Sequence, residues 1–124
     1  MPFDWAEYFG LAQRLAKESD EASHRSAISR AYYSAYHEAR LLLEEMEDFR
    51  LSSDNPAHKQ VWDTYRRKGR TYSAVGVNGD RLRVYRAQAD YDSDIADLPS
   101  LLDDSLDLAD KIFYYLAQIK RALT

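Results

Sequence analysis

The most constraining feature of the sequence is the spacing of apolar residues between positions 20 and 48. Apolar side chains recur there every three or four residues, at Ile28, Ala31, Tyr32, Ala35, Ala39, Leu42, Leu43 and Met46. Because an α-helix turns by about 100° per residue, these side chains lie on one face of a helix. The pattern predicts one long helix with a core face, which begins after the Ser19-Asp20 pair and ends near Asp48.

Helical signals also dominate the rest of the chain. Four other segments share helix-forming composition and end signals: Asp4 to Glu18, Asn55 to Lys68, Asp80 to Ala89 and Pro99 to Ala122. The stretch from Thr71 to Gly79 contains Gly76 and Asn78-Gly79, which predict a loop. The sequence therefore predicts an all-α fold, an up-and-down antiparallel bundle of four to five helices, in a single domain over residues 1–124.

Composition narrows the classes of function. The 124 residues include no cysteine, so disulfides and thiol chemistry are excluded. The three histidines show no paired-ligand spacing, and we expect no metal and no other cofactor. His24 is expected in the first turn or two of the long helix, and His58 at the start of the third helix, in a capping or surface role. No apolar run approaches the roughly 20 residues of a membrane span, and MPFDWAEYF lacks the features of a secretory signal. We therefore expect a soluble, cytoplasmic protein that does not contact a membrane.

Positive charge is concentrated in one part of an acidic chain whose net charge is −4. Between Thr64 and Arg86 the only acidic residue is Asp80, whereas seven residues are basic: Arg66, Arg67, Lys68, Arg70, Arg81, Arg83 and Arg86. Tyrosines interleave with these charges, a composition that can hold phosphates and stack bases. The alternative interpretation is a solvated loop and helix end, whose arginine stems cover the edge of the core.

The second face of the long helix carries polar and aromatic groups. In the segment SRAYYSAYHEAR, these residues share that face: Ser26, Arg30, Tyr33, His37 and Arg40. These residues indicate either a functional surface or an ordinary solvated face of the helix, on which His37 is partly buried. Further along, Arg86 and Asp90 in RAQADYD lie four residues apart, so they could also form a simple ion pair on a helix surface.

Two of these segments together resemble a known family. SRAYYSAYHEARLLLE in the long helix, followed by YRAQADYD ahead of the last helix, is similar to the small, stand-alone prokaryotic branch of the HEPN family. HEPN domains are the higher-eukaryote and prokaryote nucleotide-binding domains, and the resemblance covers nearly the whole chain. It implies a helical bundle that commonly dimerises and is often encoded beside a minimal nucleotidyltransferase. Many members are metal-independent ribonucleases in toxin–antitoxin, phage-defence or RNA-processing systems.

The resemblance also implies a site. Catalytic HEPN members use an arginine, usually followed by a polar residue, and a histidine a few positions later. Arg86 fits the arginine, Ala87 follows it, and Tyr91 stands where the histidine is expected. Because Tyr91 stands in place of the expected histidine, the sequence leaves open whether the chain is an enzyme.

The lead expectation is a HEPN-type module that binds a nucleotide or RNA and acts with a nucleotidyltransferase-like partner, such as an antitoxin, in a toxin–antitoxin or defence setting. The alternatives are a metal-independent ribonuclease with Arg86 and His37 as catalytic groups, and a purely structural protein-interaction module. The expected binding residues are Arg30, Tyr33, Arg83, Asp90 and Tyr91. A homodimer is expected because the last helix is apolar on a broad front, and light scattering would distinguish it from a 14.4 kDa monomer.

Overall fold

The structure, a computed structural model, describes residues 2–47 and 49–124, which form five α-helices and no β-strand. The helices are α1 (Ala6–Ala16), α2 (Glu21–Glu47), α3 (Ala57–Arg66), α4 (Arg70–Tyr91) and α5 (Leu98–Leu123). This confirms the predicted all-α bundle. The predicted end of the long helix near Asp48 lies outside the described residues.

The helix starts follow the capping residues of the sequence. Asp20 Oδ2 accepts a hydrogen bond of 3.0 Å from the backbone N–H of Ser23 and so caps α2. Asp97 Oδ1 accepts a bond of 3.1 Å from the N–H of Ser100 and caps α5, whose first turn contains Pro99. These bonds satisfy backbone donors that have no partner within the helix.

The core lies where α2, α4 and α5 meet, while α1 packs on α2 and α3 packs on α4. The predicted core face of α2 is confirmed. Its fully or almost fully buried members are Ile28, Ala31, Tyr32, Ala35, Ala39, Leu42 and Leu43, and Met46 packs against them while partly buried. The polar face of α2 is therefore free to meet α1 and the carboxyl-terminal half of α4.

The last helix buries most of its predicted apolar front. Its buried apolar side chains are Leu98, Leu102, Leu108, Ala109, Ile112, Leu116 and Ile119. Tyr114 and Leu123 are exposed instead, at 59% and 55%. Across residues 2–47 and 49–124, no helix combines the length and the apolar character needed to cross a membrane.

The predicted loop from Thr71 to Gly79 is wrong, because α4 begins at Arg70 and runs unbroken through this stretch. Gly69, with a φ of 132°, makes the turn between α3 and α4. Gly76 and Gly79 are buried against Trp62 of α3: a Cβ on Gly76 would lie 2.6 Å from the Trp62 carbonyl oxygen, and one on Gly79 would overlap the Trp62 ring. These glycines serve close helix packing rather than a turn.

The carboxyl end of α4 is held by an arginine from α2. Arg25 donates through Nη1 to the carbonyl oxygens of Ala89 and Asp92, at 3.0 and 2.6 Å, and through Nη2 to that of Ser93 at 3.1 Å. A cation is favoured at this end of a helix, where carbonyl groups have no partner within the helix. The last turns of α4, which include Arg86, are thereby fixed against α2.

The packing of Gly79 on Trp62 generates a stability prediction. Gly79→Ala should lower the free energy of unfolding by about 1–3 kcal/mol, because the added methyl group must displace the indole ring. Gly10→Ala is the matched control. Its Cβ would lie 3.7 Å from Arg14 Nη1, which is an ordinary contact. This substitution should therefore raise the free energy of unfolding by about 0.5–1 kcal/mol, because alanine is more stable than glycine within a helix. Urea denaturation measures both, and equal stabilisation by the two substitutions would contradict the packing.

Candidate functional site

A cleft of about 390 Å³ opens between α3 and α4. It is lined by Pro56, His58, Lys59, Asp63, Arg66, Asp80, Arg83 and Arg86. Four of these side chains are cationic and two are carboxylates, which leaves two positive charges in excess when His58 is neutral. The cleft therefore attracts anions in a protein whose net charge is −4.

Three of the four cations are paired within the cleft. Asp63 accepts from Lys59 at 2.6 Å and from Arg66 at 2.9 Å, and Asp80 accepts from Arg66 at 2.6 Å and from Arg83 at 2.9 Å. Burial alone would raise the pKa of Asp80, but the hydrogen bonds from Arg83 and Arg66 outweigh it and hold that pKa below its usual value. This ladder joins α3 to α4, so its charges are largely used by the fold.

Arg86 is the fourth cation, and its surroundings differ. Its guanidinium carbon lies 5.5 Å from the ring centre of Tyr32 and 5.6 Å from that of Tyr33, and its side chain is only 11% exposed. Nη1 donates to Asp90 Oδ2 at a long 3.4 Å, and Nε finds no acceptor among the described residues. Because a guanidinium carries five N–H donors, Arg86 is a positioned cation with unused donors.

His58 joins the cleft to the core through a chain of hydrogen bonds. The hydroxyl of Tyr32 lies 2.6 Å from His58 Nδ1, and Trp62 Nε1 donates to the same hydroxyl oxygen at 3.0 Å. Since the indole N–H can only donate, His58 Nδ1 is the one acceptor that a hydrogen bond among the described residues offers to the hydroxyl proton. This network favours the neutral tautomer of His58 that carries its proton on Nε2. Burial, followed by the charges of Arg86 and Arg83, lowers the pKa of His58 below its usual value.

His37 has different neighbours. Its ring stacks on Trp5, with centres 3.7 Å apart, and its Nδ1 lies 3.2 Å from Arg40 Nη2. Burial, with a smaller contribution from the Arg40 charge, lowers the pKa of His37 to about 4. His37 is absent from the cleft lining, and within residues 2–47 and 49–124 no hydrogen bond, ion pair or ring contact joins it directly to Arg86, although the Tyr33 ring lies beside both. The catalytic role predicted for His37 stays a prediction.

The predicted binding residues occupy different positions around the cleft. Arg83 lines the cleft within the ion-pair ladder, and the ring of Tyr33 lies beside both Arg86 and His58. Arg30 lies one step further out, 5.6 Å from the centre of the Tyr33 ring. The structure thus brings Tyr33, Arg83 and Arg86 together at the cleft, and Arg30 lies on the outer side of Tyr33.

The two predicted residues at the end of α4 have separate surroundings. Asp90 accepts from Arg86 and from the hydroxyl of Ser29, both at 3.4 Å, so it holds Arg86 against α2. Tyr91 is 78% exposed and does not line the cleft. The ion pair between Arg86 and Asp90 that the four-residue spacing allowed is present, although it leaves most donors of Arg86 unused.

His58 was not predicted as a site residue from the sequence. It was expected at a capping or surface position, yet it is half-buried and bonded to Tyr32. The spacing of His58 to Val61, Trp62 and Tyr65 could have found it, because these positions share one face of α3 and the last three are buried. The basic segment from Thr64 to Arg86 contributes to the cleft only in part. Arg66, Arg83 and Arg86 line the cleft, whereas Arg67, Lys68, Arg70 and Arg81 do not.

Comparison with protein-family models, with curated proteins and with solved structures finds no match to this chain. The resemblance to the HEPN family therefore stays a prediction. Within the described residues, no group of three or more His, Asp or Glu side chains is placed to hold a metal ion. The geometry of the cleft is therefore the basis on which a function is proposed.

The proximity of Arg86 to His58 predicts a coupled titration. Arg86→Gln should raise the pKa of His58, because it removes a positive charge that disfavours the protonated imidazole. NMR titration of the histidine ring signals measures this change. Arg40→Gln is the matched control, since it should raise the pKa of His37 and leave that of His58 unchanged. An unchanged His58 pKa in Arg86→Gln would show that the two groups do not share the cleft.

Proposed function

We propose that the protein binds the phosphate groups of a nucleotide or of RNA in the cleft between α3 and α4. The observation that carries the proposal is the state of Arg86, a nearly buried guanidinium with Nε unpartnered among the described residues. Because Nε itself is shielded, an anion in the cleft would be bound through Nη2, which has no hydrogen bond among the described residues and is not buried, and by the charge of Arg86, which only the long bond to Asp90 offsets. Phosphate oxygens suit this role because they can accept two parallel N–H bonds from one guanidinium.

The tautomer of His58 favours binding over base catalysis. With Nδ1 occupied by the Tyr32 hydroxyl, Nε2 carries a proton and can donate it in a hydrogen bond to a phosphate oxygen. Neutral His58 needs no protonation for this role, so its lowered pKa does not weaken it. Tyr33, beside both Arg86 and His58, adds a ring on which a base can stack.

The setting of the proposed function comes from the resemblance to HEPN domains. It supports a cytoplasmic module that acts with a nucleotidyltransferase-like partner in a toxin–antitoxin or defence system. A homodimer is part of the same proposal, and the exposed Leu123 of α5 supplies apolar surface for it. The alternative is a structural protein-interaction module, which would bind no ligand in the cleft.

Arg86→Gln should weaken binding of uridine 5′-monophosphate and of a short RNA by about 10–100-fold, the value of losing hydrogen bonds to a charged group. Isothermal titration calorimetry measures this, and binding should weaken as salt is added. Arg121→Gln, an exposed arginine on α5, is the matched control and should bind like the wild type.

Equal affinities of the Arg86 and Arg121 variants would contradict the proposal. If the wild type binds neither ligand, the interaction-module alternative gains. Circular dichroism checks that Arg86→Gln keeps the helical fold, since this side chain also packs between two rings.

A metal-independent ribonuclease is the second candidate, favoured by the presence of Arg86 and His58 in one cleft. Taking a proton from a 2′-hydroxyl requires an unprotonated ring nitrogen. His58 offers one at Nε2 only if its proton moves to Nδ1, which leaves the Tyr32 hydroxyl proton without this acceptor. That rearrangement costs about 1–3 kcal/mol. Phosphate binding does not require it.

RNA cleavage in EDTA separates the two histidines. If the second candidate holds, the wild type and His37→Ala cleave RNA, whereas His58→Ala and Arg86→Gln do not. Loss of cleavage in His37→Ala alone would restore the role predicted for His37 from the sequence. Cleavage that requires a metal ion would contradict both assignments, and no cleavage by the wild type leaves binding as the function.

A further inference from the structure

Aromatic and arginine side chains continue from the cleft across α2 to the segment that precedes α1. From the Tyr33 ring beside Arg86, the next step is Arg30, whose guanidinium lies 5.6 Å from the Tyr33 ring centre and 4.6 Å from that of Tyr8. The Tyr8 ring lies 5.3 Å from that of Phe3. We call Tyr33, Arg30, Tyr8 and Phe3 the aromatic row.

The aromatic row is accessible and held in place. Phe3 is 46% exposed, and the other three members are partly exposed. The carbonyl oxygen of Trp5 accepts a bond of 2.9 Å from Ser34 of α2, which fixes the segment that carries Phe3. A surface of this kind loses little conformational freedom when a ligand binds.

Arg30 has no carboxylate partner among the described residues. Its contacts are the two tyrosine rings of the row. A solvated arginine that served only solubility would not need two aromatic neighbours, whereas a guanidinium between rings is placed both to stack and to bind phosphate. Together with Arg86, it provides a second cation one ring away from the cleft.

We propose that the aromatic row binds consecutive nucleotides of single-stranded RNA, one phosphate of which is held at Arg86. The inference rests on the proposed function and adds a substrate class to it. A single strand offers alternating phosphates and unstacked bases. Arg86 and the row offer two cations interleaved with two rings, in the order Arg86, Tyr33, Arg30 and Tyr8, and Phe3 adds a further ring beside Tyr8. In a duplex the base faces are stacked on one another and cannot reach these rings.

The test compares three ligands by fluorescence anisotropy competition: uridine 5′-monophosphate, a short single-stranded RNA and the same strand annealed to its complement. The wild type should bind the single strand more tightly than either other ligand. Tyr8→Leu should weaken single-strand binding about tenfold, the value of one base–aromatic stack, and leave monophosphate binding unchanged.

Two control variants distinguish stacking from a change in the fold. Tyr8→Phe keeps the ring and should bind the single strand like the wild type. Tyr114→Leu removes an exposed tyrosine from α5, away from the row, and should also have no effect. Equal affinity of the wild type for single strand and duplex, or unchanged single-strand binding by Tyr8→Leu, would overturn the aromatic row.

The outcomes also separate this inference from the proposed function. If monophosphate binding depends on Arg86 but the single strand binds no more tightly than the monophosphate, only the aromatic row is overturned. If single-strand binding depends on Tyr8 but not on Arg86, the phosphate site is overturned and the row stands. If the wild type binds none of the three ligands, both proposals are overturned.

Discussion

The side chain of Trp62 links the packing of the bundle to the geometry of the cleft. Its ring fills the space left by the missing side chain of Gly79, which allows α3 to lie close against α4. Its indole N–H donates to the hydroxyl of Tyr32, which in turn lies 2.6 Å from His58 Nδ1. One buried residue therefore sets the separation of the two helices that line the cleft and also favours one tautomer of its histidine. The ion pair that joins α3 to α4, between Arg66 and Asp80, is partly exposed and adds little stability in comparison with this packing.

The same arrangement explains why binding is better supported than catalysis. Arg86 is held by two tyrosine rings and a long bond to Asp90, so its position is fixed while most of its donors stay unused. His58 presents a donor rather than a base in its favoured tautomer. Two donors fixed in one cleft suit an anion that stays chemically unchanged, whereas acid–base chemistry requires a proton to move first. The lowered pKa of His58 keeps that ring neutral near pH 7, which preserves this donor arrangement.

Periodicity in the sequence predicted the long helix and its core face correctly, because that face depends on one helix alone. The stretch around Gly76 and Gly79 was predicted wrongly, since glycine signals a turn and a close helix contact equally. Only the position of Trp62, in another helix, decides between them. The candidate site divides in the same way. Arg86 was selected as a candidate from one local segment, whereas its proximity to His58 depends on how α3 packs against α4, which no local pattern specifies.

The most direct test of the proposed phosphate site is the NMR signal of the Arg86 side-chain Nε–H during addition of inorganic phosphate and of uridine 5′-monophosphate. In the free protein this donor is buried and has no acceptor among the described residues. If the cleft holds phosphate through Arg86, the signal should shift in proportion to the bound fraction, together with the ring signals of His58, while that of Arg121 stays in place. A titration in which the Arg86 and His58 signals do not move, or move no more than that of Arg121, would contradict the account.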